Sequence, residues 1–138
     1  MNLENLTKQL IQIESISPND AGCFDILESE LKEMNFSCER ISYKNVENLY
    51  AVIGSQGPTL CFLGHTDVVP TGPEDQWTHP PFSGETHDDH IYGRGAADMK
   101  GNICAFIEAL DAFLKTEKLN YRIAAVSYTH LRAHETLD

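Results

Sequence analysis

Residues 59–70 read Thr59-Leu60-Cys61-Phe62-Leu63-Gly64-His65-Thr66-Asp67-Val68-Val69-Pro70. The first half is a short apolar run, the kind that a sheet buries on both faces. Ser55-Gln56-Gly57-Pro58 before it has turn composition. The second half becomes polar as soon as the run ends, which is where α/β sheets place their ligands. In an extended segment His65 and Asp67 project to the same side, because side chains alternate with a period of two.

Outward from this segment the patterns alternate. Upstream, Leu3, Leu6, Leu10 and Ile13 form a helical stripe that stops near Ser17-Pro18. Asn19 or Asp20 can cap a second helix, lined by Phe24, Leu27, Leu31 and Met34, with Asn35 as its stop. Strands are expected around Cys38–Tyr43 and Leu49–Ile53. Downstream, residues 64–90 carry Pro70, Gly72, Pro73, Pro80, Pro81 and Gly84, a long excursion of the kind that is usually functional or disordered. Ile91-Tyr92 gives a brief strand. Ile103, Phe106, Ile107, Leu110, Phe113 and Leu114 then mark the clearest amphipathic helix. Another strand begins at Tyr121. Helices followed by strands with one helical crossover predict an α/β fold, a three-layer sandwich around a mixed sheet.

The composition fits one domain. The chain has 138 residues, 41% of them hydrophobic, with 10 Lys plus Arg against 21 Asp plus Glu for a formal charge of −11. That balance argues against nucleic acid or anionic membrane as the main partner. No window approaches the roughly 18 apolar residues of a membrane span. The first residues lack the basic start and apolar run of a signal peptide. Cys23, Cys38, Cys61 and Cys104 are scattered and form no Cys-x-x-Cys pair. A reduced, cytoplasmic protein is expected.

Two constellations can carry chemistry. His65 offers a neutral imidazole, a good ligand for zinc or cobalt, and a neighbouring carboxylate such as Asp67 can fix its orientation. A lone His-x-Asp is more often a polar loop entry with a solvated carboxylate, since nothing in the spacing alone demands a metal. The second constellation is Tyr92-Gly93-Arg94-Gly95-Ala96-Ala97-Asp98-Met99-Lys100-Gly101, between a strand and a helix. Asp98 reads as a metal ligand on a glycine-rich turn or simply as a helix N-cap. The glycines also read as a partial dinucleotide fingerprint, against which Asp98 at the sixth position puts a carboxylate where pyrophosphate would sit. That third reading would need a true third glycine and an acidic residue at the end of a following strand. His79, His87 and His90 read as loop histidines.

These strings resemble the M20 metallopeptidase family. The resemblance rests on Gly64–Pro70, on Thr71-Gly72-Pro73-Glu74-Asp75-Gln76-Trp77, on Pro80-Pro81-Phe82 and on Gly93–Gly101. The His-Thr-Asp and Asp-Met-Lys-Gly strings are shared with acetylornithine deacetylases and M20 carboxypeptidases. The Thr71–Trp77 stretch points more narrowly to the family's desuccinylases. The resemblance implies an amide hydrolase acting on a small-molecule substrate with two divalent metal ions, zinc or cobalt. His65 would bind one metal, Asp98 would bridge both, and Asp67 would orient His65. It further implies a cis peptide after Asp98, scaffold roles for Thr66, Trp77, Phe82 and Arg94, and a homodimer formed through an inserted domain not present here. A non-catalytic metal-binding module of the same fold is the alternative from a different class.

The resemblance covers residues 1 to about 124. A Glu-Glu pair that would supply the general base and a further ligand is expected next, but the chain reads Ala125-Val126-Ser127-Tyr128-Thr129-His130-Leu131-Arg132-Ala133-His134-Glu135. The string from Val126 or Ser127 onward resembles a translated sequencing-adapter read, and residues 125–138 are expected to be foreign to the family. His130-x-x-x-His134-Glu135 lacks the glutamate beside its first histidine that the zincin pattern requires. The two domains expected are therefore 1–124, the N-terminal part of a catalytic domain, and 125–138, a tail that packs poorly from about Ser127. The fragment itself should be inactive.

Overall fold

The fold is that of a computed structural model, which describes residues 2–44 and 46–128. It is α/β, with a four-stranded mixed sheet. Helix α1 spans Leu3–Ile11 and α2 spans Cys23–Glu33. Strands β1 (Ser37–Tyr43), β2 (Val46–Ile53) and β3 (Thr59–His65) follow, then a small hairpin of β4 (Thr86–His87) and β5 (His90–Ile91). Helix α3 (Gly101–Thr116) leads to β6 (Arg122–Tyr128). The strand order is β1-β2-β6-β3, with β3 and β6 parallel and the other pairs antiparallel. A parallel pair needs a long crossover, and residues 66–121 supply it.

Local chemistry sets the helix ends. The Asn2 side chain accepts from the Asn5 amide at 3.0 Å and caps α1. The Asp20 carboxylate accepts from the Gly22 and Phe24 amides, each at 3.0 Å, and opens α2. Asn35, with φ 67°, follows the end of α2 in the left-handed conformation that Asn tolerates. The three helices bury their stripes in one core on one face of the sheet, α2 against β1 and β2 and α1 against α3. Leu10, Phe24, Leu27, Leu49, Ile103, Ile107 and Ile123 are among the residues of this core, each such side chain contributing about 1.5–3 kcal/mol when fully buried. Phe62 of β3 stacks on Phe106 of α3 with ring centroids 4.2 Å apart.

Two expectations need correction. The run Thr59–Leu63 is not buried on both faces. It is the edge strand of the described sheet, with Leu60 58% and Leu63 50% exposed. The expected mixed sheet with packed helices is present, and among the described residues those helices cover one face of it. Poor packing from Ser127 is also overturned for Ser127 and Tyr128. Both pair with β2 and β3, and Ser127 is buried, because alternation along β6 turns Ile123, Ala125 and Ser127 toward the helices. The rest of the expected tail, residues 129–138, lies outside the described residues. No helix among those described is long and apolar enough to cross a membrane.

Candidate metal centre

His65 is the last residue of β3, in register with Tyr128 of β6. The chain beyond it is held rather than loose. The Thr66 amide donates to the Tyr128 carbonyl at 3.1 Å. Residues 66–68 then pair with residues 15–17: the Val68 amide donates to Ser15 O at 2.8 Å, and the Ser17 amide donates to Val68 O at 3.0 Å. The Ser15 hydroxyl donates to Thr66 O at 2.7 Å, and the buried Thr66 hydroxyl donates to the Asp20 carboxylate at 3.1 Å. Asp67 is thereby buried, and its carboxylate accepts the Ser17 hydroxyl.

This frame orients the imidazole of His65. Its Nδ1 lies 2.9 Å from the Asp67 backbone carbonyl and 3.5 Å from the Asp67 carboxylate. A carbonyl can only accept, so Nδ1 carries a proton, and in the neutral ring Nε2 presents a lone pair. That Nε2 lies 3.3 Å from Oδ1 of Asp98. Two acceptors facing each other at this distance form an arrangement that a shared cation satisfies, and the donor set of imidazole and carboxylate suits a divalent metal.

Asp98 arrives on an irregular turn, Ala96–Lys100, in which Asp98 (φ −131°, ψ 94°) and Met99 (φ −139°, ψ 23°) leave helical geometry. The Asp98–Met99 peptide is cis, as the resemblance implied. Gly95 enters the turn at φ 86°, and a Cβ there would stand 2.8 Å from Cγ1 of Val68. Lys100 closes the turn from inside. Its side chain is fully buried, and its Nζ donates to the carbonyls of Leu10 at 2.7 Å and Ile13 at 2.8 Å. Burial pushes its pKa down, opposed by the field of Cys23 and Asp20. With the turn anchored, the Asp98 carboxylate projects outward with 88% of its side chain exposed. His65, Asp67, Asp98, Ser17 and Arg94 line one open cavity.

The remaining expected residues surround this centre. The Arg94 guanidinium stacks over Trp77, 4.9 Å from the ring centroid, and Trp77 Nε1 donates to Thr71 O at 3.0 Å. Phe82 is half-buried. His90 is exposed and touches the Asp88 carbonyl. His79 and His87 both contact Glu85, whose pKa is lowered by hydrogen bonds from His87 and His79. Sequence reasoning did not single out Ser17, Glu85 or Lys100. Lys100 leaves a signal, since it stands three and four residues before the apolar positions Ile103 and Cys104.

The sequence model of "Peptidase family M20/M25/M40" matches residues 61–128. A succinyl-diaminopimelate desuccinylase of Alkalilimnicola ehrlichii is 52% identical over 109 residues, which is 79% of this chain and 29% of that protein. One from Psychromonas ingrahamii is 50% identical over 113 residues, 82% of this chain and 30% of that protein. The chain thus spans about 30% of the length of the curated relatives it matches. Among solved structures, human carnosine dipeptidase 1 superposes with a TM-score of 0.82 at 25% identity, covering 92% of this chain and 31% of that one. An M20 family metallo-carboxypeptidase from Sulfolobus solfataricus gives 0.81 at 25% identity, with 92% and 30% covered.

Proposed function

We infer that this chain, a member of the M20 metallohydrolase family by those similarities, is the N-terminal part of a metal-dependent amide hydrolase. Its substrate would be N-succinyl-LL-2,6-diaminopimelate, cleaved to succinate and LL-2,6-diaminopimelate in lysine and diaminopimelate biosynthesis. The observation that carries the hydrolase reading is the pair of acceptors, His65 Nε2 and Asp98 Oδ1, facing each other 3.3 Å apart at the strand end. The narrower substrate rests on the 50–52% identity to desuccinylases. A cytoplasmic enzyme, homodimeric through a domain not present here, completes the reading.

His65 and Asp98 would hold the metal, with Asp98 bridging a pair of ions, zinc or cobalt. Such ions supply Lewis acidity toward the amide carbonyl and make water a better nucleophile at neutral pH. Asp67 keeps the His65 proton on Nδ1 through its carbonyl, and its carboxylate backs the ring. Arg94 stacked on Trp77 forms one wall of the cavity. The proton-transferring glutamate of the family is expected in the segment that residues 125–138 replace. Lacking it, the chain as written should turn over no substrate, since general acid–base catalysis is typically worth about 10²–10⁴-fold.

The test joins residues 1–124 to a native desuccinylase continuation. The joined protein is assayed on N-succinyl-diaminopimelate, N-acetylornithine and a dipeptide, beside the chain as written and a metal-only blank. Metal-dependent release of succinate, abolished by Asp98→Ala, supports the assignment. Preference for N-acetylornithine or the dipeptide moves it to another M20 amidohydrolase. A folded, metal-loaded protein with no hydrolysis favours a metal-binding module.

A further inference from the structure

We propose a second metal site on the excursion between β3 and α3, formed by His79, Glu85 and His87. It is independent of the hydrolase reading. Glu85 and His87 are two residues apart on an extended segment, so their side chains share a side. The Tyr92 amide donates to Glu85 O at 2.8 Å and, with the β4–β5 pair, holds that segment rigid. His79 reaches the same point from the preceding Trp77–Pro81 stretch. Its Nδ1 lies 3.0 Å from Oε2 of Glu85, and Nε2 of His87 lies 2.9 Å from the same oxygen. One donor atom from each residue falls within a common 4.8 Å.

Both edges to Glu85 have hydrogen-bond length, and a small spread of the three donors would admit an ion. Ligand bonds of 2.0–2.2 Å in a tetrahedral shell put neighbouring donors about 3.3–3.6 Å apart. The cluster is within a few tenths of an ångström of this on two of its three edges. Its donor set, two imidazoles and one carboxylate, is one that open zinc sites use. The two imidazole rings stack with centroids 4.3 Å apart, which keeps their donor nitrogens on one side of the cluster. The ring of Tyr92 packs on His79 at 4.3 Å. His87 is half-exposed, which leaves an entry path and a coordination position for water. A zinc-like divalent ion here would tie residues 79–87 into one unit beside Trp77 and Gly93, which border the strand-end cavity or its neighbour.

The probe is zinc, followed by equilibrium dialysis and metal analysis, with cobalt(II) absorption as a report on coordination. The background is the full chain carrying His65→Ala and Asp98→Ala, which remove the strand-end ligands, and His130→Ala and His134→Ala, which remove the tail histidines. We expect this background to retain one zinc per chain with a tetrahedral cobalt spectrum. Adding His87→Ala or Glu85→Ala should weaken binding at least about 10-fold, while His90→Ala leaves it unchanged. Both altered side chains are partly exposed, and far-UV circular dichroism checks that the fold is kept. Absence of zinc from the background, or binding indifferent to His87→Ala, overturns the site. Equal loss with His90→Ala overturns the ligand set. A failure of the hydrolase reading affects none of these outcomes.

Discussion

Lys100 Nζ donates to the carbonyl of Leu10 at 2.7 Å, joining the turn that presents Asp98 to the last turn of α1 across 90 residues of sequence. The same ammonium reaches Ile13 O, so it adds a charged donor to two carbonyls that also accept from the Ile13 and Ser15 amides. Lys100→Met should cost about 1–3 kcal/mol of stability, because the hydrogen bonds of a charged donor to both carbonyls are lost. Urea unfolding monitored by circular dichroism measures it. Zinc affinity at His65 and Asp98 should fall in parallel, and unchanged affinity would mean that the turn does not depend on this tie.

Gly95→Ala should be worse than its size suggests. The left-handed backbone there costs a residue with a Cβ about 1–2 kcal/mol, and the added atom would overlap Val68 at 2.8 Å. The same denaturation series reads the loss. A stability within 0.5 kcal/mol of the parent, the ordinary range for a surface change, would show that the turn relaxes freely.

Asp67→Ala should reduce zinc affinity at the strand end about 10–100-fold, the usual effect of removing a group that orients a metal-binding histidine. The Asp67 carbonyl that touches His65 Nδ1 is backbone and survives the substitution. The loss therefore isolates what the carboxylate contributes through Ser17 and the ring. Ser17→Ala should give a smaller loss in the same direction, and isothermal titration with zinc compares the two.

The cysteines should divide by burial. Cys61 is exposed and should react with a thiol reagent in the folded chain, whereas Cys23 and Cys104 should react only on unfolding. Burial raises both of those thiols, Cys104 to about 11 from 9.0. A group raised in the fold stabilises it below its unfolded value and loses that contribution as pH climbs. Stability should thus decline between about pH 9 and 11. Cys104→Ala should flatten that slope in pH-dependent urea midpoints, and an unchanged slope would exclude Cys104 as its source.

Much of this protein was legible in its residues. Apolar spacing located α1, α2 and α3, and the run at 59–63 located the strand whose end carries His65, because helix and strand periods are local properties of the chain. The motifs around His65 and Asp98 named the two residues that the fold brings together. Tertiary structure alone decided that β3 is an edge of the described sheet, since pairing and layer coverage depend on distant segments. It alone decided that β6 runs in register to Tyr128. It alone gave Lys100 a buried position against Leu10 and Ile13, and drew His79 to Glu85 and His87. Those contacts join segments far apart in the chain or across loops without periodicity, and no local pattern encodes a distance that folding closes.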